Sequence, residues 1–190
     1  METKNINKAV LAFRNGRSNL LLMIIFTAVN LVLATTGGLY LLFSAPVPQI
    51  AFEVGAEFSE EYNNITYLIV GLIVSLTVLG TYFACWHFSL RKRSLIKVAY
   101  IIFLIEVILF SILVGLVSLS EFDFTVFIQL AFLLWILYYL RNGAKAYKEL
   151  VGISTEEFNK RLSNITITEG KLLQEIEASE DKKEKKKKTD

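Results

Sequence analysis

Four blocks of almost unbroken apolar sequence divide this chain, separated by short polar stretches. They run from about 19 to 43, 66 to 87, 97 to 118 and 124 to 140. A helix rises about 1.5 Å per residue, so blocks of about 17–25 residues cross a hydrocarbon core about 30 Å thick. The pattern predicts an all-α integral membrane protein, with four transmembrane helices in an antiparallel bundle.

The intervening segments complete the layout. Residues 1–18 form a polar-to-amphipathic lead in which Ala9, Leu11, Ala12 and Phe13 can rest on the interface. Residues 44–65, rich in glutamate and holding both prolines, read as a loop. After 140 the chain turns amphipathic to about 178. Within that stretch Ser154 and Glu157 have the spacing of a capping box, which predicts a helix to about Leu162. Apolar spacing predicts another over Glu169–Ala178. Residues 179–190, SEDKKEKKKKTD, have nothing to bury and read as a disordered tail.

Charge fixes an expected orientation. All 20 Lys and Arg lie in three places: the lead, the 87–97 loop and the stretch after Leu140. The other two connections carry only acids, namely Glu53, Glu57, Glu60, Glu61, Glu121 and Asp123. The positive-inside rule then puts both termini in the cytoplasm of a multi-pass plasma-membrane protein. Arg14, Arg17, Arg91, Lys92, Arg93 and Arg141 are the cations that set this topology and touch anionic lipid headgroups. No aromatic residues interleave them as in a nucleic-acid reader.

Composition narrows the chemistry. The chain is 54% hydrophobic, with one cysteine and one histidine. Cys85 alone excludes an intrachain disulfide, and His87 alone excludes a multi-histidine metal centre. No Ser/His pair, HExxH motif or carboxylate pair falls in the spans, so no catalytic residues, metal or cofactor are expected. The first block is too long for a signal peptide and lacks a small-x-small cleavage site, so it reads as a retained helix.

One polar residue stands near mid-depth in each span: Asn30, Thr77, Glu106 and Gln129, about 13–17 Å from the inner ends. They form a candidate polar layer. A charged group at such depth costs about 2.5–3.5 kcal/mol even on lenient scales, so Glu106 is expected to face protein or water. Small residues on the first three spans, Ala34, Gly37, Gly38, Gly71, Ser75, Gly80, Ser111 and Gly115, provide faces for close helix packing. The third span has two such faces, which points to contacts on both sides.

The run NGRSNLLLMIIFTAVNLVL, followed by GGLYLLFSAPVPQ, resembles an uncharacterised group of small bacterial four-helix membrane proteins. That resemblance covers the first span and the start of the next loop, about a fifth of the chain. It implies a bacterial plasma membrane and carries no site. The expectation is a non-enzymatic module that assembles with itself, as a homo-oligomer, or with a larger membrane-protein partner. The alternative is a small-solute or proton pathway through the polar layer around Glu106.

Overall fold

A computed structural model describes residues 2–36, 44–117 and 124–165, all helical apart from short turns. The helices are α1 (Glu2–Thr36), α2 (Pro46–Glu61), α3 (Thr66–Phe88), α4 (Leu95–Val117) and α5 (Phe124–Ala146). A sixth, α6, covers 155–165. Four of them, α1, α3, α4 and α5, are long and apolar enough to cross a membrane. Much of their surface points outward, with Ile73, Leu76, Ile108 and Ile112 each at least half exposed. Apolar area on this scale suits lipid as the solvent rather than water.

Residues 1–18 do not form a separate lead lying on an interface. Described from Glu2, they are the first half of α1, whose 35 residues extend about 52 Å. Ala9, Val10 and Phe13 are buried in a core shared with Ile96, Leu140, Leu150 and Phe158. The Phe13 and Phe158 rings meet edge-on at 5.7 Å. Gly16 on α1 crosses Gly143 on α5 so closely that a Cβ on Gly16 would lie 3.2 Å from the Gly143 Cα. Here glycine is required by the approach of two backbones.

Two arginines tie this end together. Arg17 donates from Nε to Ser89 Oγ at 2.7 Å and from Nη2 to the Trp86 carbonyl at 3.1 Å. Arg93 donates from Nη1 to the Leu150 carbonyl and to that of Ile153 at 2.6 Å, and from Nη2 to that of Ser154 at 3.3 Å. Both occupy carbonyls left open at helix ends and turns. Burial lowers the Arg93 guanidinium from its ordinary value, and the three carbonyls offset that desolvation. Ser154 caps α6 as expected, accepting the Glu157 N–H at 3.1 Å. Glu157 itself pairs with Arg161 at 2.8 Å instead of reaching back.

The segment expected to be a loop contains α2. Its apolar face, Pro48, Phe52 and Gly55, is buried, and α2 against α3 is the most extensive helix pairing. A Cβ on Gly55 would lie 2.8 Å from the Tyr67 carbonyl oxygen and 3.1 Å from the Gly71 Cα, and one on Gly71 would strike the Ala51 carbonyl. The α2–α3 turn uses Asn63 at φ 46°, a conformation asparagine tolerates. Asn64 Oδ1 then accepts the Thr66 N–H at 3.0 Å.

A candidate site where α2 meets Glu106

The start of α2 determines what surrounds Glu106. A helix leaves four N–H groups without intrahelical partners at its beginning. In α2 they belong to Ala45, Pro46, Val47 and Pro48, with Ala45 in extended conformation as the N-cap. Two of the four are prolines, which have no N–H to satisfy. The Ala45 N–H donates to Thr27 Oγ1 on α1 at 2.8 Å. The Val47 N–H faces the Glu106 carboxyl on α4. The Ala45 N–H is thus paired, and the Val47 N–H faces a carboxyl acceptor.

This contact set also locates the tip. Thr27 lies nine residues before the end of α1, and Glu106 lies at the midpoint of α4. On α3, Ser75 Oγ donates to the Pro48 carbonyl at 2.6 Å. Ser75 and Glu106 sit near the middle of their helices, and Thr27 lies about three-quarters of the way along the longer α1. The N-terminus of α2 therefore lies halfway along the spans, and its far end, Glu61, is level with the start of α3 at Thr66. Ser44, Ala45, Pro46 and Pro48 are all buried there.

Glu106 is 4% exposed. The Tyr82 hydroxyl, itself fully buried on α3, donates to Oε1 at 2.8 Å. Oε2 is buried and completes no hydrogen bond among the described residues. The positive end of the α2 dipole, equivalent to about half an elementary charge, points toward this carboxyl. Chemically, the arrangement can hold a proton or accept one further donor. The described residues hold no cluster of acids, cysteine and histidine fit for a metal ion. His87 lies at the other end of α3, exposed and stacked on Phe83 with ring centroids 6.0 Å apart.

Of the expected polar layer, Glu106 and Asn30 are buried, with Asn30 one turn beyond Thr27 on α1. Thr77 is exposed and bonds within its own helix, to the Ile73 carbonyl at 2.7 Å. Gln129 is half-buried on α5. The inward polar groups of α3 are instead Ser75 and Tyr82. Among the small residues, Gly71 and Ser75 receive α2, whereas Gly80 and Gly115 face open space. Ala34 is half-buried, as is Ser111, whose hydroxyl donates to the Val107 carbonyl at 2.7 Å. Gly37 and Gly38 fall outside the described residues, as do Glu121, Asp123, the helix expected over 169–178 and the 179–190 tail. Of the cations, Arg17 and Arg93 turn inward to carbonyls, while Arg14, Arg91, Lys92 and Arg141 are exposed.

Sequence reasoning missed Tyr82, Val47 and Gly55. A signal for Val47 was present: the chain's two prolines occupy the first and third positions of α2, a recognised helix start. No family model, curated protein or solved structure matches this chain.

Proposed function

We propose that this chain is a multi-pass protein of a bacterial plasma membrane. Its four spans form an antiparallel bundle with both termini and the arginine-rich ends in the cytoplasm, and with the 118–123 connection and the glutamate-rich far end of α2 outside. The segregation of lysine and arginine along the sequence supports that orientation. The protein acts without catalysis, as a module that assembles with itself or with a larger membrane protein.

The observation that carries the assembly reading is the position of Gly80. A glycine inside a helix costs about 1 kcal/mol relative to alanine. Gly16, Gly55, Gly71 and Gly143 all repay that cost through close backbone contact, whereas a Cβ added to Gly80 would meet nothing within 4 Å. Thr77 and Thr81 flank it on the same exposed side of α3. A second helix seated on this strip would make use of all three residues.

Cysteine crosslinking in native membranes, in a Cys85→Ser background, tests the idea. Thr77→Cys should give a dimer or a defined adduct, and Leu134→Cys on the outward side of α5 should not. Adding Gly80→Leu should abolish the adduct. A strictly monomeric species throughout would overturn the reading.

A second reading, a proton or small-solute pathway, is favoured by one observation, the partnerless Oε2 of Glu106 at the tip of α2. It requires Glu106→Gln to abolish flux in reconstituted vesicles. Unchanged flux would remove Glu106 from any such mechanism.

A further inference from the structure

Between the first half of α1 and the last turns of α5 runs an open groove of about 650 Å³. Its two ends differ in chemistry. At one end stand Tyr138 and Tyr139, level with Gly16 through the Gly16–Tyr139 contact. Trp135 continues that aromatic face along α5, 44% exposed, with its ring 5.2 Å from Tyr139. The other end carries the amines of Lys8 and Lys145. Neither lysine makes an ion pair among the described residues. Amide side chains, including Asn15 and Asn142, lie along the groove.

We propose that this groove binds the headgroup of an anionic phospholipid. The phosphate would sit between Lys8 and Lys145, the amides would meet the glycerol and ester oxygens, and the acyl chains would run up beside Tyr138 and Trp135. Three features select a lipid over a soluble anion or a protein segment. The groove changes from aromatic to cationic along the helix axes, as a phospholipid changes from chain to headgroup. The aromatic end lies where α1 and α5 pass Arg17 and Trp86, residues of the kind that mark a membrane boundary. Two unpaired amines complement a phosphate, which a zwitterionic surface matches less well. Glu149 also lines the groove and opposes the phosphate. It lies one turn beyond Lys145 and weakens the site without reversing its sign.

The proposal rests on the membrane reading but not on assembly, and a monomer would bind equally well. The test uses full-length protein in detergent, with lipid retention read by native mass spectrometry. Phosphatidylglycerol should be retained over phosphatidylcholine. At about one surface-cation increment per lysine, Lys8→Gln with Lys145→Gln should weaken retention roughly thirtyfold. Lys160→Gln with Lys182→Gln removes the same charge elsewhere and should leave retention within about twofold, while Glu149→Gln should strengthen it. Equal retention of the two lipids, equal loss in both double variants, or competition by millimolar inorganic phosphate alone would overturn the assignment. Loss of detergent dependence would instead sink the membrane reading itself.

Discussion

At the scale of single residues, the four close-approach glycines and the two open ones inside helices, Gly80 and Gly115, make opposite predictions from one substitution. Gly71→Ala places a methyl against the Ala51 carbonyl and 3.1 Å from the Gly55 Cα. Both are backbone atoms, so the methyl can be accommodated only by moving α2 away from α3. Overpacking of this kind costs about 1–3 kcal/mol. Gly115→Ala meets nothing within 4 Å and should leave stability unchanged or raise it by up to about 1 kcal/mol. Thermal unfolding in detergent separates the two. The Glu106–Tyr82 pair behaves differently. Tyr82→Phe removes the donor to a buried oxygen and should cost about 0.6–1.7 kcal/mol, the range of interhelical bonds in membranes. Combined with Glu106→Leu, which removes the acceptor as well, the loss should fall short of the sum of the single changes. Strict additivity would mean that the 2.8 Å bond contributes nothing to stability.

At the scale of elements, α2 is where sequence and structure part company, and the reason is physical. The four spans were legible because hydropathy at that length has few alternatives. The deep placement of Glu106 was legible because burying an acid in a span demands protein around it. By contrast, α2 is shorter than a span and carries four glutamates, so hydropathy alone assigns it to water. Its packing depends on Gly55 meeting Gly71, and such a pair becomes visible only when two helices are placed side by side. Likewise Gly16 and Gly143 lie more than a hundred residues apart, and no spacing within one helix reveals them. Thr77 shows the converse: it stands at the midpoint of α3, but position along a helix does not determine which face a residue takes.

The prolines of α2 allow a sharp test. Replacing proline by alanine inside or near a helix ordinarily helps, because alanine has the higher propensity. At Pro46 or Pro48 the replacement adds an N–H at mid-span, where Glu106 Oε2 is the one buried side-chain acceptor left open among the described residues. Leaving such a donor unsatisfied costs about 1–3 kcal/mol, so either change should destabilise. Thr27→Val should do the same by stripping the Ala45 N–H of its acceptor. Should Pro46→Ala stabilise the protein, its new N–H would have to reach either water or Glu106 Oε2, and Glu106→Leu, which removes that oxygen, tells the two apart. Arg93 is the corresponding element-scale lever at the other end. Arg93→Gln frees the carbonyls of Leu150, Ile153 and Ser154. Residues 147–165 should then exchange amide hydrogens faster, with the spans unaffected.

For the whole molecule, the consequence of these contacts is that α2 enters from one end of the bundle and stops at its middle. Non-helical backbone and free helix ends are tolerated at such depth only when protein satisfies them; at the α2 tip two positions are prolines, the Ala45 N–H meets Thr27 Oγ1 and the Val47 N–H faces Glu106. Depth along α2 then maps onto distance from the bilayer centre. Half a hydrocarbon core is about 15 Å, or about ten residues of helix, counted from Pro46. Val54 and Glu57 are both exposed on α2, but only Glu57 lies beyond that distance. In the Cys85→Ser background, Glu57→Cys should therefore react with a membrane-impermeant maleimide added to intact cells, and Val54→Cys should not. Arg91→Cys, on the arginine-rich side, should react only after the membrane is opened. If α2 instead lay flat on the outer surface, Val54 and Glu57 would label alike, and the central position of Glu106 would lose the neighbour that defines it.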